Sequence, residues 1–269
     1  MVKNFHYFIN AIQMIKVDGR KIAQKIINEL KKKPVPKKIL AAVFVGQDES
    51  SAAFLGRKEK ISEELGIEFR LYQLEESISQ KELEETVKRI CDDNQVGGLI
   101  VQLPLPKNFD REGVISVLDS KKDVDALGLD SPVEPPAVGV VKEIMSNVNC
   151  QLSNIATITI VGKGLLVGKP IANWLAQQQF KVKNLKLKVA DSKTKNLKEF
   201  LSDTDLVITG VGKASLINPE WLKDGAGVID FGFPPDLNNS QSAIRNSKLA
   251  FYTPTPGGVG PVNLSYLFK

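Results

Sequence analysis

The chain has 269 residues, 42% hydrophobic and 25% charged, an ordinary balance for a soluble globular protein of one large or two modest domains. No apolar run is long enough to cross a bilayer, which argues against a membrane partner. The formal charge of +5 suits anionic small molecules; the lysines at 31–33, 37–38 and 181–198 are scattered without interleaved aromatics, which argues against nucleic acid.

The only histidine is His6, so a Ser-His-Asp triad, a Cys-His pair and a histidine-bound zinc are excluded. Acid–base work must fall to Lys, Asp, Glu or Tyr. Cys91 and Cys150 are isolated, without metal-ligand spacing, and read as ordinary reduced thiols. The opening "MVKNFHYFINAIQMIK" lacks a signal-peptide layout, and Met14 is an alternative start. Cytoplasmic residence is the default expectation.

In chain order, "DGRKIAQKIINELKKK" reads as a helix capped by Asp18. "ILAAVFVG" (39–46) reads as a strand. "SSAAFLGRKEKISEELGI" (50–67) reads as a helix capped by Ser50 or Ser51 and ended by Gly66. Phe54, Ile61 and Leu65 recur at helical spacing and define its inward face. Lys58 falls on that stripe, whereas Arg57, Lys60 and Glu64 belong in water. Such a lysine either lays its stem along apolar surface with a wet ammonium, or sits in a partly dry cleft where burial prepares it for catalysis.

"IEFRLYQL" (67–74) is the next strand, "SQKELEETVKRICDD" an amphipathic helix, and "GGLIVQLPLP" (97–106) a strand ending in prolines. Strands alternating with helices predict a parallel sheet covered by helices. Gln102 falls at the carboxyl end of its strand, where open α/β sheets bind ligands; a satisfied strand-end amide is the alternative. In "KKDVDALG", Asp123 and Asp125 share a face if extended, or cap a turn.

The pattern breaks at "ALGLDSPVEPPA", which places a domain boundary there. A second strand–helix rhythm follows through "IATITIVG", "GKPIANWLAQQQ", "LKLKVAD", "TKNLKEFLSD", "DLVITGVG" and "AGVIDFG". "KLAFYTP" then leads into a Gly-Pro loop and a short C-terminal helix. In "TITIVGKGLLVGKPIANWL", Gly162, Gly164 and Gly168 make a glycine turn between strand and helix. That context suits a dinucleotide pyrophosphate, although the spacing is one residue longer than the usual fingerprint; a plain strand–helix turn is the alternative. Asp191 ends the next strand, where an acidic residue holds the adenosine ribose. Lys163 and Ser192 suit a 2′-phosphate instead, so the two signals conflict. "TPTPGGVGP" (253–261) reads as a rigid loop able to meet a ligand through its backbone, or as a structural turn.

Taken in order, "DGRKIAQKI", "SSAAFLGRKEKISEELGI", "GGLIVQLPLP", "KKDVDALG", "IVGKGLLVGKP", "DSKT", "GVIDFG" and "TPTPGGVGPV" resemble the bifunctional methylenetetrahydrofolate dehydrogenase/methenyltetrahydrofolate cyclohydrolase family. The resemblance runs from about Met14 to the C-terminus. It implies an α/β fold of two domains, an N-terminal parallel-sheet catalytic domain and a Rossmann-like dinucleotide-binding domain, with the active-site cleft between them. The expected bounds are 14–133 for the folate-binding domain, with 253–269 packing back on it, and 134–252 for the cofactor domain.

The resemblance also implies oxidation of 5,10-methylenetetrahydrofolate to the 5,10-methenyl form, then hydrolysis to 10-formyltetrahydrofolate, within one-carbon metabolism and purine biosynthesis. It implies a cytoplasmic homodimer. Lys58 matches the family's catalytic lysine, Gln102 the glutamine that contacts it, and Asp125 the aspartate that grips the pterin. Phe54 and the loop residues Pro256, Gly257, Gly258 and Val259 match substrate-binding positions. Gly162, Lys163, Gly164, Val167, Gly168, Lys169, Pro170, Asp191, Ser192 and Gly212 match cofactor-binding positions. No metal is implied. NADP is the family default, while Asp191 favours NAD.

The chain departs from the family at several points. Phe54 replaces a usual tyrosine, so hydride transfer is expected to survive and hydrolysis to weaken. The segment after Asp125 is short, and the family's Pro-x-Thr-Pro turn is reduced to "VEPPA". Lys163-Gly164 stands where Arg-Ser is common, Asp191 replaces a frequent histidine, and the last helix is clipped. Two rivals follow: a shikimate dehydrogenase-like enzyme, which "VQLPLP" and "PGGVGP" oppose, and a degenerate binder, which the retention of Lys58, Gln102 and Asp125 opposes.

Overall fold

The computed structural model describes residues 14–128, 130–179 and 182–269, which divide into two compact units. The leading residues, including His6, lie outside the described residues.

The first unit comprises residues 23–139 and 263–269. Its sheet has three parallel strands in the order β3 (Phe69–Leu74), β2 (Ile39–Val45), β4 (Val96–Val101). Every residue of β2 is buried, as expected of a central strand covered on both faces. Leu267 and Phe268 from the C-terminus pack against its core at Leu40, Ala42, Phe44 and Leu55.

Helix α1 (Gly19–Leu30) begins where Asp18 accepts the Lys21 N–H at 3.2 Å, the expected cap. Helix α2 (Glu49–Leu65) starts two to three residues earlier than expected. Asp48, not Ser50 or Ser51, is its cap and accepts the Ser51 N–H at 2.7 Å. Gly66 ends it in the left-handed region, φ 72°, which favours glycine. The inward stripe also shifts: the buried residues are Ser51, Leu55, Lys58, Ser62 and Leu65, while Phe54 and Ile61 are only half-buried. Lys58 lies on the buried face, as expected, and at its centre. Helix α3 (Gln80–Asp92) opens with a reciprocal Ser79–Glu82 capping box. Helix α4 (Arg111–Ser116) follows β4, and α5 (Pro136–Asn147) crosses into the second unit.

The second unit, residues 14–22 and 140–262 as described, is built on a six-stranded parallel sheet. Its order is β6 (Lys186–Ala190), β5 (Thr157–Val161), β7 (Leu206–Thr209), β8 (Gly227–Asp230), β9 (Phe251–Tyr252), β1 (Ile15–Lys16), with β1 and β9 at one edge. From β5 the chain steps outward through α6 (Gly168–Gln179) to β6, then returns through α7 (Leu197–Leu201) to β7 on the other side of β5. That reversal is the topological switch point where open α/β sheets take ligands. Helices α8 (Gln241–Asn246) and α9 (Val259–Tyr266) complete the unit, α9 ending in the first.

The divisions differ from the expected bounds in three places, each for a local reason. Residues 14–22 go with the larger sheet because Ile15 and Lys16 pair with Phe251 and Tyr252. The segment up to Gly139 stays with the first unit: the Tyr266 hydroxyl donates to Glu134 at 2.7 Å, and the Tyr266 ring occupies the space a Gly139 side chain would need. Residues 253–262 stay with the larger sheet, so only 263–269 return to the first unit. Thr253 donates its N–H to Val228 at 3.0 Å, and Gly19 donates to Gly257 at 2.9 Å.

Candidate active site and cofactor turn

The first unit gathers its charged chemistry around Lys58, which is 5% exposed. A buried ammonium needs a counter-charge, and Asp125 supplies it, Nζ to Oδ2 at 3.7 Å. The Phe54 ring lies one turn back, its centroid 5.4 Å from Nζ. The inward lysine is thus neither snorkelling nor surrounded only by apolar groups. The lysine–aspartate pairing was not legible from sequence spacing, because 67 residues separate the two.

Gln102 ends the run of β4. Its N–H donates to Val43 at 2.9 Å and its side-chain amide to the Leu103 carbonyl at 2.7 Å. Its Oε1 is buried without a partner. A buried amide oxygen with nothing to accept from is a free acceptor for a ligand. The Leu103–Pro104 bond is cis.

Asp123 and Asp125 do not share one role. The chain turns after Asp123, and the Asp123 carboxylate folds inward to accept the Gly128 N–H at 2.8 Å. Burial pushes that carboxyl above its ordinary range, and the turn's N–H groups pull it partly back. Asp125 alone reaches Lys58. Ala126 beside it holds φ 50°, a left-handed conformation unusual for alanine.

In the second unit, the glycine turn is shaped by backbone proximity. Gly162 sits at φ 102° directly after β5. An added Cβ on Gly168 would strike the Gly162 carbonyl, so only glycine lets the α6 N-terminus approach the strand end this closely. Gly164 faces open space. Lys169 donates its N–H to Gly164 at 3.0 Å, closing the turn, and Pro170 lies in the first turn of α6 where no N–H is needed. Val167 packs on Gly210, and Val211 on Gly162, so the loops after β5 and β7 abut at the switch point. Gly212 follows at φ 73°. A helix N-terminus over a glycine turn presents N–H donors to an anion, so these residues fit a dinucleotide pyrophosphate.

The conflict between Lys163 and Asp191 takes a physical form: they pair at 2.7 Å. The Lys163 ammonium, and then the Lys193 N–H at 2.9 Å, hold the Asp191 carboxyl below its usual range. Ser192 lies in the same turn.

The loop of Pro256, Gly257, Gly258 and Val259 belongs to this unit, not to the unit of Lys58. Thr255–Pro256 is cis, Gly257 has φ 99°, and Gly258 donates to the Pro254 carbonyl at 2.7 Å. Val259 begins α9.

Sequence reasoning missed two buried aspartates at the carboxyl end of β8. Asp236 accepts from the Thr209 hydroxyl at 2.6 Å and from Val211 and Lys213 N–H groups at 2.7 Å each. Asp230 accepts from Gly232 at 2.7 Å and Leu237 at 2.9 Å. Together they brace the loops after β7 and β8. Burial, reinforced by Asp236, pushes the Asp230 carboxyl up to about 6. Among the described residues, no group of three or more His, Cys, Asp or Glu could hold a metal ion.

The fold and these two regions define a two-domain α/β enzyme with a nucleotide-binding sheet. Residues 17–125 match the family model of the tetrahydrofolate dehydrogenase/cyclohydrolase catalytic domain, and residues 135–269 that of its NAD(P)-binding domain. The chain is 33% identical to the bifunctional protein FolD of Campylobacter concisus over 94% of both chains. It superposes with TM-score 0.84 on the bifunctional FolD methylenetetrahydrofolate dehydrogenase/cyclohydrolase of Campylobacter jejuni, 29% identical over 95% of this chain and 96% of that one. It superposes with TM-score 0.85 on the Trypanosoma brucei enzyme complexed with NADP cofactor and inhibitor, 25% identical over 95% of each chain. The chain belongs to the tetrahydrofolate dehydrogenase/cyclohydrolase family, oxidoreductases and hydrolases of one-carbon folate metabolism.

Proposed function

We propose that this chain oxidises 5,10-methylenetetrahydrofolate and hydrolyses the methenyl product to 10-formyltetrahydrofolate, with NADP as preferred cofactor and Lys58, Gln102 and Asp125 as its catalytic group. The observation that carries the reading is the buried Lys58–Asp125 pair beside Phe54, in a chain that matches both family models.

Bound nicotinamide supplies the hydride acceptor. The glycine turn and the α6 N-terminus would hold its pyrophosphate, and in the oxidation the protein mainly orients two molecules. Asp125 grips N–H donors of the pterin ring, and Phe54 stacks on it. On engaging the pterin, Asp125 turns its charge away from Lys58. Lys58 then takes a proton from the water that adds to the methenyl carbon and returns it to N5 as the C–N5 bond breaks, while the hydroxyl proton leaves to solvent as the formyl C=O forms. The free Gln102 Oε1 accepts from Lys58 or from that water. Phe54 offers no hydroxyl, so hydrolysis runs slower relative to oxidation than a tyrosine would allow.

NADP is preferred because Lys163 already neutralises Asp191, and Ser192 lies beside them. A 2′-phosphate exchanges one anionic partner of Lys163 for another. The protein acts in the cytoplasm as a homodimer whose partners are its folate substrate and its cofactor. A monomer in sedimentation at micromolar concentration would remove the dimer from this reading.

The test gives the purified chain 5,10-methylenetetrahydrofolate with NADP⁺ or NAD⁺ and follows reduced cofactor and methenyl product together. Reduction favouring NADP⁺, with transient methenyl product, is expected. A preference for NAD⁺ would assign Asp191 to the ribose; no reduction with either cofactor would end the enzymatic reading.

A further inference from the structure

The Lys58–Asp125 pair depends on a turn, and the turn depends on a residue that the proposed chemistry does not use. Asp123 is 2% exposed. Its carboxylate oxygen Oδ2 accepts from Gly128 at 2.8 Å, five residues on, which closes the turn over residues 124–128. Its carbonyl accepts the Ser131 hydroxyl at 3.0 Å. On its other side Asp123 is bridged in parallel to Leu99 of β4, three residues before Gln102, and Leu99 donates its N–H to Lys122 at 2.7 Å. Val124 lies against Gly98, where an added Cβ would meet it at 2.6 Å.

The other carboxylate oxygen, Oδ1, is buried without a partner. An ordinary turn needs no such group: a solvent-facing aspartate caps backbone N–H groups without desolvation. A buried, half-satisfied carboxylate is a local cost, of the kind retained where geometry matters more than stability.

We infer that Asp123 is a positioning residue of the Lys58 site: its carboxylate closes the turn of residues 124–128 on Gly128, while its backbone bridge to Leu99 fastens that turn to the strand that ends at Gln102, so that Asp125 faces Lys58. This rests on the roles proposed above for Lys58 and Asp125.

The test measures kcat and KM for both folate reactions, the pH profile of hydrolysis, and the dissociation constant for NADP, in the full chain. Asp123→Ala is expected to lower folate kcat/KM roughly 30-fold or more, the scale of a catalytic group displaced by about 1 Å. The NADP dissociation constant stays within about 2-fold, and the hydrolysis pH profile shifts. Asp123→Asn keeps an oxygen for Gly128 and restores most of the loss. Val87→Ala, in the buried face of α3, controls for plain destabilisation and leaves the folate KM and pH profile unmoved.

Asp125→Ala separates the two readings. If it is harmless, the proposed Lys58 site falls and takes this inference with it. If it is damaging while folded Asp123→Ala is not, only the positioning role falls. Should Asp123→Ala fail to fold, Gly98→Ala displaces the same turn from the strand side. A raised folate KM at unchanged NADP affinity supports the inference; an unchanged KM overturns it.

Discussion

The two units prepare for ligands in opposite ways. In the first, the proposed working groups are side chains: a buried ammonium, its carboxylate and an unpartnered amide oxygen, delivered by a helix, a turn and a strand end. In the second, the proposed cofactor surface is mostly backbone: a glycine turn under a helix N-terminus, with side chains entering at Lys163 and Asp191. Chemistry that moves protons needs charge held under tension in a dry place. Holding a cofactor needs N–H donors and close approach, which glycine provides.

The comparison is tested first at its most brittle point. Gly168→Ala places a methyl on the Gly162 carbonyl, and backbone cannot move aside cheaply. Cofactor affinity is expected to fall about 100-fold or more, with folate binding retained, as titration of each ligand would reveal. Equal loss of both ligands would break the division of labour.

The next effect is in pH dependence. The Asp230 carboxyl is raised to about 6 from an ordinary 3.8, so the folded state holds its proton more tightly than the unfolded. Its contribution is fully present below about pH 3.8 and is lost as pH rises through about 6, a swing of roughly 3 kcal/mol. Denaturant unfolding of wild type and Asp230→Asn between pH 4 and 7 isolates it: wild type should lose ground to the variant as pH rises. A constant difference across that range would show that Asp230 does not titrate there.

The smallest effect concerns the turn beside Asp125. Ala126 holds φ 50°, which costs a non-glycine residue about 1 kcal/mol. Ala126→Gly should stabilise the chain by up to about 0.5 kcal/mol, since glycine returns much of the gain as unfolded-state entropy. A lower denaturation midpoint would show that the alanine methyl makes a compensating contact.

The same contrast explains what the sequence reveals. The cofactor turn is legible because its signal is a residue type, glycine, at fixed spacing between a strand and a helix. Strands such as β2 are legible because an unbroken apolar run has few other uses. Lys58 is legible as an inward lysine, but its stripe is not, since Ser51 and Ser62 lie on the buried face and hydrophobic periodicity passes over them. Asp123 is legible only as one of two readings, a shared face or a turn cap, and Asp230 and Asp236 leave no trace, because their partners are mainly backbone N–H groups that any sequence supplies. The unit boundaries shift for a related reason: they turn on the pairing of Ile15 with Phe251 and on Tyr266 against Gly139, between residues remote in sequence.

The central claim is that Lys58 carries the proton chemistry while the glycine turn carries the cofactor. Lys58→Gln tests it most directly, because glutamine can still donate to Asp125 but cannot act as a base. With both reactions measured on the same preparation, hydrolysis should fall by about 1,000-fold, oxidation should fall far less, and NADP binding should be unchanged. Hydrolysis and oxidation declining in parallel, or hydrolysis persisting, would contradict the account.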